Sequence, residues 1–225
     1  KLLITQQPTG AVSGVALSTQ PIIRITDSAG NTVNTGSAVI SLLALNAGSA
    51  IISGTSTVNA AAGVVSFTNL TLTGTAGSYS LLFTAGSLTS IISSGFALTA
   101  GAATKLVITQ QPSGAVNGVA LSTQPIVAIQ DASGNTITTS GSAVIATITT
   151  GIGSLAGTTT ITAGSGIASF TDLSITGTAG SYVLTFSAGS LTPAISTSFA
   201  LTTGAATKLL ITQQPTGAVS GVALS

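Results

Sequence analysis

The chain repeats itself. Lys1–Ile23 reads KLLITQQPTGAVSGVALSTQPII and Lys105–Val127 reads KLVITQQPSGAVNGVALSTQPIV, identical at 19 of 23 positions. Lys208–Ser225 restates Lys1–Ser18 without a change, and GTAGSYSLLFTAGSLT from Gly74 returns as GTAGSYVLTFSAGSLT from Gly177. The period is 104 residues at the head of the repeat and 103 by its tail. On the sequence alone, one residue inserted before Ser142 and two lost after the next strand account for the drift. A fixed period restricts the fold more than any composition does, because each period has to close as one structural unit. The units are expected at 1–103 and 104–206, with 207–225 as the first strand of a third. A pattern that breaks off in mid-unit reads as a stretch of a longer array.

The two copies also show which side chains each strand hides. Tyr79, Leu81 and Phe83 recur as Tyr182, Leu184 and Phe186, while the positions between them change: Ser80 to Val183, Leu82 to Thr185, Thr84 to Ser187. One fixed face and one free face at period two is the mark of a half-buried strand. The six retained residues are therefore core candidates. Ile23 and Ile25 behave the same way, matched by Val127 and Ile129, and their neighbours Arg24 and Thr26 become Ala128 and Gln130. Arg24 is expected in solvent.

Composition removes several alternatives. Only 3% of residues are charged, and the net charge is +1. A basic surface able to neutralise phosphates is absent, which excludes nucleic acid as a partner. Ser, Thr and Gly interrupt every apolar run before ~18 residues, so no transmembrane helix and no membrane insertion are expected. Disordered chains are poor in aliphatic residues, whereas this one is 44% hydrophobic and rich in the β-branched residues that suit a pleated surface. Cys, Met, Trp and His are all missing, which leaves no disulfide to infer and little to oxidise.

Turn signals divide the first repeat into seven strands: Leu2–Gln7 with an edge continuation through Ala16, Ile22–Thr26, Ala38–Leu45, Gly54–Val58, Val64–Leu72, Ser78–Thr84 and Ile91–Thr99. In Val64–Leu72 the pairs Val65/Phe67 and Leu70/Leu72 fall on opposite parities, so a bulge near Thr68–Asn69 is needed to bury both. About seven short strands in ~100 residues make the economical fold all-β, as tandem immunoglobulin-like Greek-key β-sandwiches.

The segments KLVITQQPSG with GVALSTQP, QDASGNT and GIASFTDLSITGTAGSYVLTFSAG resemble the bacterial Ig-like repeats of very large cell-surface proteins, and more distantly the invasin/intimin group. The likeness runs the whole length of the chain. It implies tandem sandwich stalks on a bacterial exterior, extracellular or at the cell surface, and no catalytic residues. Such repeats commonly carry more charge, so calcium stiffening at domain junctions is not implied for this chain.

Candidate sites are few. Asp27 and Asn31, matched by Asp131 and Asn135, read as a calcium loop or as a turn whose Asp bonds its own backbone. One carboxylate per repeat falls short of the 6–8 oxygens calcium takes, which favours the turn. Tyr79 and Tyr182 open their strands where a tyrosine corner is found. Asn69-Leu70-Thr71 is a formal glycosylation sequon, but Asp172 replaces Asn69 in the second copy. Lys1, Lys105 and Lys208 head the repeats, as solvated junction lysines or, with scarce Asn and Asp, as isopeptide donors. No metal or cofactor is expected. With no His, Cys or Glu, general acid/base and nucleophilic schemes lack positioned partners, and an enzyme is not expected.

Sheet edges are usually guarded by charge, and here that guard is missing. This favours a non-enzymatic structural repeat that self-associates into a fibre, sheath or matrix, with copies of itself, and glycans on its Ser/Thr faces, as partners. The outward Leu82 and Val183 are then the interface candidates. The alternative is a passive stalk of a giant adhesin, projecting a binding domain that lies elsewhere. Lys208–Ser225 either opens a further repeat or adds as a strand to a neighbour.

Overall fold

The computed structural model describes residues 1–34, 38–45, 50–214 and 220–221. Among these there is no helix. The first repeat contains β1 (Leu2–Gln6), β2 (Ala11–Val12), β3 (Val15–Ala16), β4 (Ile22–Ile25), β5 (Val39–Leu45), β6 (Ile51–Ser53), β7 (Thr57–Asn59), β8 (Val64–Ser66), β9 (Thr71–Thr73), β10 (Gly77–Ala85), β11 (Leu88–Ile92) and β12 (Phe96–Thr99). The second contains β13 (Lys105–Gln110), β14 (Ala115–Val116), β15 (Ile126–Gln130), β16 (Ala143–Thr150), β17 (Gly153–Ala156), β18 (Thr160–Thr162), β19 (Ile167–Ser169), β20 (Ser174–Gly177), β21 (Gly180–Ser187), β22 (Ala194–Ile195) and β23 (Phe199–Thr202).

In the first repeat one layer holds β1-β4-β8 together with β3-β9-β6, and the other runs β2-β12-β10-β5-β7. Neighbours are antiparallel except β2, which lies parallel to β12. The second repeat reproduces both layers, with β13-β15-β19 facing β14-β23-β21-β16-β18. Each is an immunoglobulin-like Greek-key sandwich. Alternation dictates the packing: Leu2, Ile23, Ile25 and Val65 from one layer meet Ile40, Leu81, Phe83 and Leu98 from the other, all buried. Phe67 and Phe83 touch across the layers at 5.8 Å between ring centres, and Phe170 and Phe186 at 5.4 Å. Each fully buried Leu or Phe contributes about 1.5–3 kcal/mol, and the two clusters stay separate.

Interruptions turn the seven expected strands into more segments. Val64–Leu72 splits into β8, which pairs with β4, and β9, which pairs with β3 and β6. The break at Phe67–Leu70 buries Val65, Phe67, Leu70 and Leu72 together, which is what the change of parity required. Ile91–Thr99 splits at Ser93–Gly95. There the Ser93 hydroxyl accepts the Leu81 N–H at 2.9 Å and donates to the Ser94 carbonyl, standing in for main chain at a bulge. Ser196 does the same for Leu184. Of the expected strand Gly54–Val58, residues 54–56 form the turn between β6 and β7, and Thr57 and Val58 open β7. Gly54 sits at φ 90°, and a Cβ there would lie 2.2 Å from the Asn69 carbonyl oxygen.

Other readings also change. The inserted residue before Ser142 sets Ile40 against Ile145, yet the register sets Ile40 against Val144, because Leu42 and Ala146 pair with Phe83 and Phe186. Ile145 is 43% exposed while Ile40 and Val144 are buried. A one-residue slip would have reversed those faces, so sequence similarity at GSAVI gives way to alternation. Arg24 is exposed as expected, but Thr26 is buried, its hydroxyl donating to the Lys1 carbonyl at 3.4 Å. Ala128 is buried as well, its methyl flanked on the neighbouring strands by Val107 and Ile167.

Residues Lys208–Gln214 are exposed and form no strand. Residues 215–219 and 222–225 of the expected third repeat lie outside the described residues.

Candidate functional site

The residues retained by both repeats sit where the inner faces meet. Leu81, Phe83, Leu184 and Phe186 are buried, and so are the rings of Tyr79 and Tyr182. The Tyr79 hydroxyl donates to the Thr75 carbonyl at 2.9 Å, and Tyr182 donates to Thr178 at 3.0 Å and Ile152 at 2.6 Å. A buried phenol needs such a partner, and here it fixes the corner entering β10 and β21. Thr75 lies between Gly74 and Ala76.

Asp27–Asn31 and Asp131–Asn135 are turns that close on themselves. The Asn31 N–H and side-chain amide donate to the two Asp27 oxygens at 2.9 and 3.0 Å. Asn135 repeats this on Asp131 at 2.8 Å for both bonds. Among the described residues no three His, Cys, Asp or Glu side chains gather as a metal site. The two turns differ in their surroundings. Asp27 and Asn31 are exposed, whereas Asp131 is 2% and Asn135 7% exposed.

The cover over Asp131 and Asn135 is the end of the first repeat. The Gly101 N–H donates to Asp131 Oδ2 at 2.8 Å. The Asn135 side chain grips the main chain beside the tyrosine corner, accepting the Ala76 N–H at 2.7 Å and donating to the Gly74 carbonyl at 2.9 Å. The Ser13 and Ser133 hydroxyls meet at 3.1 Å, and Ser13 also bonds both the N–H and the carbonyl of Gly74. Gly101 has to be glycine at this approach, since a Cβ would stand 2.5 Å from the Ser13 carbonyl oxygen. The turn is a plug, and Ser13, Gly74, Ala76 and Gly101 form its socket. Burial pushes the Asp131 carboxyl up, but the Asn135 side chain and the N–H groups of Gly101, Asn135 and Ser133 outweigh it, and the pKa falls below the ordinary 3.8. Asp27 is lowered chiefly by the Asn31 side chain.

Sequence reasoning did not find the socket. Its signal was present, since two of only three acids occupy the same place in both repeats although no chemistry requires them there.

The remaining candidates are dispersed. Leu82 is half-buried on the outer face of β10, paired with Leu43 and Ile92, which are 60% and 54% exposed. In the second repeat the same row is Thr147, Thr185 and Ile195, so the patch is not shared. Val183 is half-buried opposite Thr150 on the outer face of β21. Asn69 Oδ1 accepts the Thr55 N–H at 2.8 Å, and Asp172 Oδ1 accepts Thr158 N–H at 2.8 Å. The two copies therefore share an acceptor oxygen at this turn, not a sequon. The Thr158 N–H, then its hydroxyl, hold the Asp172 pKa down. Lys1 Nζ reaches the Ser28 carbonyl at 3.5 Å, not an asparagine.

No protein-family model matches the chain, and no curated protein sequence does. Solved structures do. The D00-D0 domain of intimin aligns over 88% of this chain and 99% of its own, at 10% identity and a TM-score of 0.47. FdeC, an Escherichia coli adhesin, aligns over 91% of this chain and 64% of its own, at 16% identity and a TM-score of 0.41. A glycosyl hydrolase family 2 member from Bacteroides cellulosilyticus aligns over 83% of this chain at 12% identity and a TM-score of 0.38. This chain spans 23% of that hydrolase.

Proposed function

We propose that the chain is a non-enzymatic structural module of a bacterial cell surface, a serial spacer whose sandwiches, at 1–103 and 104–206, are held end to end by the Asp131–Asn135 plug. The carrying observation is the joint: four hydrogen bonds cross it, one of them to a buried carboxylate. A flexible tether would leave such polar groups to water, and groups buried this way are retained only when satisfied. The exterior setting rests on the sequence resemblance and on the lack of charged and oxidisable side chains. Small-angle scattering of the full chain tests the reading. A single narrow distance distribution that broadens on Asn135→Ala supports a held spacer; a wild-type distribution already as broad as the variant's refutes it.

Lateral self-association is the second reading, favoured by the outward Leu43, Leu82 and Ile92 of the first repeat. Light scattering and electron microscopy of the same sample address it. Ordered sheets or filaments lost on Leu43→Ser support it, and a monomer at high concentration sinks it.

A further inference from the structure

The four basic and three acidic residues all fall outside one layer of each sandwich. Arg24 is in β4 and Lys105 in β13; Lys1 precedes β1, Asp27 and Asp131 follow β4 and β15, and Asp172 precedes β20. Lys208 lies outside any strand. The layers β2-β12-β10-β5-β7 and β14-β23-β21-β16-β18 contain no charge. They end on β7 and β18, and the stretches around these strands, 54–63 and 157–166, hold neither charge nor proline.

Both edges are open. The Ala60 N–H donates to the Ala38 carbonyl, so alternation bonds Val58 to Ile40 and turns the N–H and C=O of Thr57 and Asn59 away from β5. In the second repeat the Ala163 N–H on Ser142 and the Ala146 N–H on Thr159 set the same phase, and Thr160 and Thr162 face outward. Among the described residues these outward groups have no partner. All four residues are exposed, while Val58 and Ile161 pack against the cores. Such a row of main-chain groups is a template for another strand, and lysine, proline or a bulge is its usual guard.

We infer that β7 and β18 are edge-pairing strands, each adding antiparallel to the same edge of a second copy of this chain. The inference rests on the lateral reading of the proposed function and names its contact. The occupant follows from the edge itself. A two-fold axis through Val58 sets Thr57 against Asn59 of the copy, and Asn59 against Thr57. Each of these pairs exchanges both N–H···O bonds, so every outward group of the two edges is satisfied at once. An axis through Ile161 does the same for Thr160 and Thr162. With no charge in the layer, nothing repels the like edge or selects a charged partner in its place. Each chain carries two such edges, so pairing at both extends the assembly to further chains.

The full chain carrying Thr57→Lys and Thr160→Lys restores the missing guard. Its control carries Thr5→Lys and Thr109→Lys, the same added charge at exposed positions of β1 and β13 in the other layer. Light scattering at rising concentration should show assembly of the wild type and the control, and a monomer for the edge variant. Quenched amide exchange locates the contact independently. Thr57, Asn59, Thr160 and Thr162 should slow about tenfold on assembly, while Val58 and Ile161 are protected at every concentration. That measurement uses the wild-type chain, so it decides even where the lysines unfold the variant. Assembly that persists in the folded edge variant, or that leaves the four amides fast, overturns edge pairing; its loss on Leu43→Ser then keeps the lateral reading. A wild-type chain that stays monomeric at high concentration overturns both.

Discussion

Asp131→Ala and Asp27→Ala are the same substitution in the same turn, and only one of them touches the joint. At Asp27 the change removes two hydrogen bonds that lie in solvent, where water replaces them. At Asp131 it also strands the Gly101 N–H, which donates at 2.8 Å to a carboxylate on a residue only 2% exposed. A hydrogen bond to a charged group contributes about 1.5–3 kcal/mol, which is roughly a tenfold to hundredfold change in the opening equilibrium of the joint. Amide exchange followed by NMR reads this at one position. Gly101 should exchange faster by that factor in Asp131→Ala, and Ala76, held through Asn135, should follow it. Core amides such as Leu81 and Leu184 should keep wild-type rates, because the two cores are separate clusters. Asp27→Ala should leave Gly101 unchanged. Equal acceleration in both variants, or none in either, would refute the claim that Asp131 holds the repeats together.

Four further outcomes are expected. Tyr79→Phe frees Thr75, between the two residues that Asn135 grips, so it should speed Ala76 exchange as well as lower the first repeat's stability by about 1 kcal/mol. Tyr182→Phe removes the one phenolic proton that the Ile152 and Thr178 carbonyls share, and should lower the second repeat's stability by about 1 kcal/mol in urea titration. The folded pKa values of Asp27, Asp131 and Asp172 lie below 3.8, so their contribution is complete above that pH and is lost as pH falls through the lowered values. Melting temperature should stay flat between about pH 5 and 9, and below about pH 4 scattering should show the joint loosening. Gly54→Ala, forced against the Asn69 carbonyl at positive φ, should destabilise by about 1–3 kcal/mol in thermal unfolding.

What the sequence disclosed and what it withheld divide along a physical line. Period-two alternation, seen twice, named the inner face of β10 and β21, because burial of Tyr79, Leu81 and Phe83 is a property of the strand itself. The parity change in Val64–Leu72 likewise pointed to the break between β8 and β9. Gly54 was misread as strand because its constraint comes from Asn69, fifteen residues away and across a turn. The register of β16 was misread because local identity at GSAVI competed with alternation, and alternation decides which side chain is buried. The joint was withheld for another reason. Asp27 and Asp131 open turns with Asp, Gly and Asn at the same places, DSAGN and DASGN, and nothing in those five residues tells that one is exposed and the other buried against the end of a repeat.

The parallel pairing of β2 with β12, Ala11 against Leu98 and Val12 against Thr99, governs how each sandwich carries tension. Strands near the two ends of a repeat, running the same way and bonded side by side, are pulled past each other when neighbours are drawn apart. Their hydrogen bonds are then loaded in shear and share the force, whereas a hairpin pulled from its open end yields one bond at a time. β14 and β23 give the second repeat the same arrangement, Ala115 against Leu201 and Val116 against Thr202. Placed in series, these short ladders set the load at which a sandwich gives way, and the plug at Asp131 is the element exposed to bending.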